Sequence, residues 1–205
     1  MLALCVIEAT PALAQIDRRI PRVAFDARAF TTGLSEDATT ATDLGIAVEL
    51  LPTRANGLVG GAHVYVVRGE RMALGVGAEW LLGRGRKQES DAEGEPVGEP
   101  VERRLQSFSP QVSLNFGHRD GWSYVSAGLG PMAYETFVGE LPPADDPPRP
   151  STLNFGGGAR WFFASHLAFC FDVRFYLTKA EAQIGDIPGR ASARLLVLSG
   201  GIAFK

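Results

Sequence analysis

Apolar and polar residues alternate along several stretches of this chain with a period of two. In Leu167–Thr178 the odd positions are Leu167, Phe169, Phe171, Val173, Phe175 and Leu177, and the even ones are Ala168, Cys170, Asp172, Arg174, Tyr176 and Thr178. One face is wholly apolar and the other carries charge, which predicts a β-strand; a helix would mix the two sets on every side. The same split recurs over residues 107–117, where Phe108, Val112, Leu114 and Phe116 oppose Ser107, Ser109, Gln111, Ser113 and Asn115. Pro110 interrupts that apolar row and predicts a bend or a gap in the hydrogen-bond ladder. Over residues 72–82, Met72, Leu74, Val76, Ala78, Trp80 and Leu82 oppose Ala73, Gly75, Gly77, Glu79 and Leu81. Over residues 23–30, Val23, Phe25, Ala27 and Ala29 oppose Asp26 and Arg28. Residues 58–67, 122–134, 153–163 and 193–204 alternate more loosely and bring the candidate strands to eight.

The connections alternate in length. Residues 68–71, 118–121 and 164–166 are short turns; residues 83–104, 135–150 and 179–190 are long and polar. Strands that run up and down put all the short turns at one end and all the long loops at the other. Residues 31–57 then form the first long loop. Within it, residues 44–51 alternate weakly, with Ile46, Val48 and Leu50 against Ala47 and Glu49. A ninth strand there would send the chain's end to the wrong side, so the segment is read as loop or as a strand extension, with ten strands as the alternative. Residues 93–100, Glu-Gly-Glu-Pro-Val-Gly-Glu-Pro, read as a flexible loop tip.

Strands of ten or more residues are too long for an ordinary two-sheet sandwich, whose strands average five or six. They match the 9–11 tilted residues that cross a bilayer. Asp26, Arg28, Arg160, Asp172 and Arg174 on the polar faces suit no greasy ligand cavity, so the apolar faces are assigned to lipid. The fold class is therefore all-β, an antiparallel up-and-down transmembrane barrel of eight strands. Leu74, Val76, Leu114, Phe169, Phe171 and Phe175 face lipid. Asp26, Arg28, His63, Glu79, Gln111, Asn154, Arg160, Asp172 and Arg174 face inward, where acids and arginines should pair and leave the lumen largely plugged. Trp80, Trp122, Tyr124, Tyr134, Trp161, Phe162, Phe163 and Tyr176 fall near strand ends and are read as an interfacial aromatic belt.

Composition changes this picture little. The chain has 205 residues, enough for one domain, with 24 glycines, 13 prolines and 12 phenylalanines, which suits a turn-rich β protein. A formal charge of -3 gives no electrostatic reason to expect nucleic acid as a partner. No run of 18 apolar residues predicts a transmembrane helix, and that says nothing against a barrel. Residues 1–14 read as an export signal: Met1 to Ile7 is apolar, apart from a missing basic start, and Ala12-Leu13-Ala14 before Gln15 fits small-x-small cleavage. Residues 15–21 then form a periplasmic segment and residues 22–205 the barrel. With Cys5 removed, Cys170 has no internal disulfide partner.

Candidate chemistry is sparse. His118 and His166 fall in short turns; His63 lies on a polar face with no serine or cysteine partner nearby in sequence. Neither His-x-x-x-His nor Cys-x-x-Cys occurs, so no metal or cofactor is expected. Gly156-Gly157-Gly158 and Gly128-x-Gly130 sit within strands and lack the helix and lysine of a phosphate loop. In residues 83–104, acidic Glu89, Asp91, Glu93, Glu95, Glu99 and Glu102 are flanked by Arg84, Arg86, Lys87, Arg103 and Arg104. The basic flanks could meet lipopolysaccharide phosphates; a merely solvated loop is the plainer reading.

The chain ends Leu198-Ser199-Gly200-Gly201-Ile202-Ala203-Phe204-Lys205. This resembles the terminal strand of bacterial outer-membrane barrels, with Ile202 and Phe204 in the positions of the assembly signal; here the aromatic is penultimate and Lys205 follows. Over residues 22–205 the chain resembles in architecture the small OmpA-type, OmpX-type and OmpW-type proteins. The resemblance implies an outer-membrane location, contact with outer-membrane lipids and lipopolysaccharide, and recognition by the barrel-assembly machinery. It also implies a barrel without a wide pore and a structural, adhesive or interaction role rather than an enzymatic one. A narrow channel or carrier for small solutes is the alternative, and a lipid-modifying enzyme a third. No external ligand is named by any motif.

Overall fold

Period-two segments become a closed sheet. The computed structural model describes residues 18–139, 149–178 and 194–205. Its strands are β1 Val23–Gly33, β2 Arg54–Arg68, β3 Met72–Ser90, β4 Pro96–His118, β5 Gly121–Val138, β6 Ser151–Phe162, β7 Leu167–Thr178 and β8 Arg194–Phe204. Each pairs antiparallel with the next, and β1 pairs with β8 from Phe25↔Phe204 to Thr32↔Val197, so these eight strands form a closed up-and-down barrel. Closure leaves no sheet edge in the wall, which is the condition for a sheet to stand in hydrocarbon. The expected export signal, the loop at 179–190 and residues 140–148 of the loop at 135–150 lie outside the described residues.

One expectation about the loops is corrected and another is filled in. Residues 83–104 are not a long irregular loop with a flexible tip at 93–100: β3 and β4 continue as one hairpin through pairs such as Arg84↔Arg104 and Lys87↔Val101, with a bulge between Lys87 and Glu89. The turn is only Asp91–Glu95, where Asp91 Oδ1 accepts from the backbone of Glu93 (3.1 Å) and Glu95 (2.8 Å) and Gly94 takes a positive φ of 87°. Period-two apolarity fades from Arg86 to Pro100 because water lies on both sides of a hairpin that outgrows the apolar belt, so nothing demands an apolar face there. Residues 44–51 form no strand. The first loop instead holds helix α1, Ala38–Asp43, capped by Asp37, and a single 3-10 turn, Val48–Leu50. Gly45 at φ 66° breaks the extended path between them. Ala41, Leu51, Ile46, Val48 and Leu50 then pack on Val101 and Val138 of the tall strands.

Pro110 sits where the ladder is interrupted. Bridges between β4 and β5 lapse between Ser107↔Met132 and Gln111↔Gly128, a stretch that also holds Pro131. Neither proline has an N–H to give.

The outer wall is apolar around its whole circumference. Phe25, Val64, Val76, Leu114, Val125, Phe155, Phe169, Phe171, Phe175 and Ile202 are among its exposed residues. Phe155 stacks on Phe175 and Trp161 on Phe171, with ring centroids 5.5 and 5.4 Å apart. A water-soluble monomer rarely exposes more than a few hundred Å² of contiguous apolar surface. Leu74, Val76, Leu114, Phe169, Phe171 and Phe175 all lie on this wall, as do Ile202 and Phe204.

Phe171→Arg is expected to cost roughly 2–4 kcal/mol in a urea titration of the protein folded into vesicles, as a cation at mid-bilayer does. Glu95→Arg, at the hairpin tip, should be nearly neutral. Equal tolerance at the two positions would contradict the assignment of faces.

Candidate functional site

The inward positions of the wall are the even residues of β1, β5, β6 and β7 and the odd residues of β2, β3, β8 and the lower part of β4. All nine residues expected inside are buried: Asp26, Arg28, His63, Glu79, Gln111, Asn154, Arg160, Asp172 and Arg174. They join one network. Arg28 donates through Nε to Asp26 Oδ1 (2.8 Å), forms a short ion pair with Glu79, and reaches Asp172 Oδ1 at 3.4 Å. Arg160 donates to Asp26 Oδ2 (2.6 Å), beside which His63 Nε2 lies at 3.2 Å. Arg174 donates to Asp172 through Nε (3.2 Å) and Nη2 (3.1 Å), to Asn154 Oδ1 (2.8 Å) and to Ser126 Oγ (2.7 Å), with Glu79 Oε2 3.1 Å from its Nε. Gln111 donates to Glu79 and to Asn154 Oδ1 (3.3 Å), and the Tyr124 hydroxyl donates to Asp172 Oδ2 (2.9 Å).

Three carboxylates, Asp26, Glu79 and Asp172, thus face three guanidiniums, Arg28, Arg160 and Arg174. The balance matters because a buried charge is tolerable only when paired and hydrogen-bonded. Arginine suits the task better than lysine: its planar fork meets several carboxylates from several strands at once. Room for the network comes from small residues. A Cβ at Gly61 would fall 2.7 Å from Asp26 Oδ1.

Apolar layers flank the network above and below. On the long-loop side Phe30, Leu34, Val59, Leu81, Leu105, Met132, Tyr176, Leu195 and Val197 form one buried cluster. Phe30 lies across the bore against Gly83, where a Cβ would fall 2.6 Å from its ring. On the short-turn side Ile20, Ala24, Tyr65, Ala73 and Trp122 form another, with Phe162 stacked on Trp122 at 5.1 Å. Ile20 comes from the segment before β1, which is held there by Arg119 N–H to Arg18 O (2.8 Å) and Arg68 Nη1 to Ile20 O (3.0 Å). The sequence reading missed these stoppers. Their signal is an apolar residue in the polar phase of a strand, as at Leu81 and Phe30.

The interfacial belt is also corrected. Trp80, Trp161 and Phe163 are exposed on the wall, but Trp122, Tyr124 and Tyr176 are buried inside. They share the parity of Asp172 and Arg174 or of Ser126, and parity, not nearness to a strand end, sets direction. Arg103 departs too. It is buried rather than a free basic flank, donating to Ser35 O (2.6 Å) and Pro52 O (3.3 Å), so it roots the first loop over the mouth. Arg84 pairs with Glu102. His118 ends β4 and His166 lies in the short turn before β7, both exposed, and no group of three or more metal-ligating side chains occurs among the described residues.

A closed eight-stranded antiparallel barrel with a charged, filled interior and an apolar wall has the architecture of the small outer-membrane barrels. Among solved structures the chain is similar to neisserial surface protein A, NspA, at 14% identity, covering 90% of this chain and 97% of that one with a TM-score of 0.53. It is also aligned with Ail, the attachment invasion locus protein of Yersinia pestis, at 10% identity over 92% of this chain and 99% of that one, with a TM-score of 0.45. The likeness to NspA is one of fold. No protein-family model and no curated protein matches the chain.

Two outcomes follow from the interior. Arg174→Met alone should cost about 3–5 kcal/mol by leaving carboxylate charge unpaired. Arg174→Met with Asp172→Asn should cost less, since Arg28 and Arg160 keep Asp26 and Glu79. Urea titrations of the two variants decide it, and a double variant weaker than the single would refute the charge-balance account. Separately, Arg103→Met should leave the barrel folded while protease cleaves residues 34–53 about tenfold faster, as expected when a local anchor is lost. Unchanged cleavage would show that the loop does not depend on Arg103.

Proposed function

We propose that this protein is an outer-membrane anchor for an external interaction surface, non-enzymatic and with its lumen plugged. The observation that carries the reading is the height of β3 and β4 over their neighbours. β2 begins at Arg54, and its pairing with β3 stops at Asn56↔Arg84, so β3 from Gly85 to Ser90 has no strand partner on that side among the described residues. β4 and β5 stay paired up to Val101↔Val138. A three-stranded sheet therefore rises past the apolar wall, with α1 and the 3-10 turn packed on one side. Its free edge offers unpaired N–H and C=O groups and charged side chains to an external partner.

The interior supports anchoring over transport. The charge network lies between two apolar layers, and an eight-stranded barrel is only wide enough for side chains to fill. His63 faces the Asp26 carboxylate inside the barrel and is buried away from the outer wall, which disfavours lipid chemistry. On the wall, the pairs Trp80↔Phe108, Leu82↔Gln106 and Arg84↔Arg104 stack upward in that order. This puts Arg84 and Arg104 just above the apolar zone, a level suited to lipopolysaccharide phosphates. Ile202 and Phe204 on the wall of β8 suit recognition by the assembly machinery.

The test is a shortened hairpin, with residues 88–100 replaced by Asn-Gly so that Lys87 and Val101 still pair. Cells bearing this variant should yield a heat-modifiable barrel in outer membranes, as cells with the intact protein do, but should lose adherence to matrix-coated or cell-covered surfaces. Planar-bilayer conductance of the intact protein should be small or intermittent. Unaltered adherence would refute the interaction reading, and a steady large conductance would favour the channel.

A further inference from the structure

The end of the barrel with the short turns is strongly basic, and no function described so far uses it. Arg18, Arg22, Arg68, Arg71, Arg119 and Lys205 are accompanied there by Glu70 and Asp120, a formal +4 among these described residues of the rim in a chain whose overall charge is -3. The opposite mouth has the other sign: residues 34–53 hold Glu36, Asp37, Asp43 and Glu49 and no lysine or arginine. We propose that this rim is a binding surface for the anionic headgroups of the phospholipid leaflet facing the short turns.

Position makes the case first. The cations adjoin the edge of the apolar wall in the chain itself: Arg22 precedes exposed Val23, Arg68 follows exposed Val67, Arg71 precedes exposed Met72, and Lys205 follows exposed Phe204. Up-and-down topology gathers these separate turns and termini into one ring at the depth where hydrocarbon gives way to headgroups. Long basic side chains at that depth lay their stems on apolar surface and their charges among phosphates.

The ring is also uncompensated. Arg18, Arg22, Arg68, Arg71, Arg119 and Lys205 form no ion pair among the described residues, whereas the interior arginines are all paired. Lys205 donates to Arg119 O and lies 3.7 Å from the Phe162 ring centroid. Partial burial and the Arg119 charge beside it hold the Lys205 ammonium below its usual pKa, against the opposing influence of Asp120. A cleft of about 410 Å³ opens there, lined by Phe162, Phe163, Ala164 and Ser165, by the two cations Arg119 and Lys205, and by the single acid Asp120. Apolar rings beside a net basic charge fit a lipid headgroup and the start of its acyl chain.

The proposal rests on the membrane reading, and two tryptophans separate them in one experiment. Trp161 lies on the wall at the basic rim and Trp80 on the wall toward the other end, both exposed, while Trp122 is buried. The full chain carrying Trp80→Phe or Trp161→Phe is folded into vesicles of phosphatidylglycerol and phosphatidylcholine, with one or the other lipid brominated as a contact quencher. At low salt, Trp161 should be quenched about threefold more by brominated phosphatidylglycerol than by brominated phosphatidylcholine, and Trp80 equally by both. The preference should vanish at about 1 M salt, where the screening length is near 3 Å, and in the triple variant Arg22→Gln, Arg71→Gln, Arg119→Gln. Equal quenching of Trp161 by both lipids overturns the proposal and leaves the membrane reading standing. Retention on purified cell-wall glycopeptide through the same arginines, without lipid preference, would also overturn it. No quenching of either tryptophan by either lipid overturns the membrane reading itself.

Discussion

A strand in hydrocarbon has no water to hydrogen-bond its free N–H and C=O groups, so every one must find a neighbouring strand. That constraint governs the molecule. It forces β1 onto β8, and eight strands then fix a bore just wide enough for side chains to fill. The interior must be filled by whatever side chains the inward parity supplies. This chain fills it with three carboxylates and three guanidiniums, and the charge balance is a consequence of closure rather than an independent feature. Above the apolar belt the constraint lapses, and there the sheet stops being a closed wall: β3, β4 and β5 continue while β2 and β6 have already ended or not yet begun.

The parts of the structure readable from sequence are those where lipid imposes parity. β7 shows the same bounds by either route, because Phe169, Phe171, Phe175 and their neighbours alternate without a break against Asp172 and Arg174. The inward set was readable for the same reason: a charged residue in the polar phase of such a strand has only one place to go. Direction was readable, but partnership was not. Nothing in the sequence says that Arg28 of β1 meets Glu79 of β3 and approaches Asp172 of β7, since those contacts depend on stagger around a closed bore. The hairpin above the belt was misread because water on both faces from Arg86 to Pro100 erases the alternation. The first loop was read as a loop, but its content was not legible, because Ile46, Val48 and Leu50 obey a weak period of two for a different reason, packing onto Val101 and Val138 from the stretch that holds the 3-10 turn.

The two ends of the barrel are lined by unlike means. Below, Ile20 and Trp122 flank the network with a segment that belongs to the N-terminal approach to β1. Above, Phe30 and its cluster line the bore from within, and the first loop is tied to the tall strands by the buried guanidinium of Arg103. Between these layers every member of the ion network is buried. Within a low-dielectric enclosure the pairs are stronger than they would be on a surface, and the loss of one partner is correspondingly more damaging. Surface residues of the tall hairpin feel neither effect, so that part of the chain can vary without endangering the wall.

The network also bears on register. A one-residue slip between two strands would turn charged side chains into lipid and is excluded by parity alone. A two-residue slip keeps every face as it was, and parity cannot forbid it. It would, however, displace side chains along a strand by about 7 Å, more than the reach of a hydrogen bond. Arg160 of β6 could not then meet Asp26 of β1, nor Arg28 of β1 meet Glu79 of β3, and each would be left as a buried unpaired charge. Apolar interiors lack this property, because one aliphatic contact substitutes for another at small cost. The charges therefore select, from the stagger values that closure permits, the one in which all six find partners.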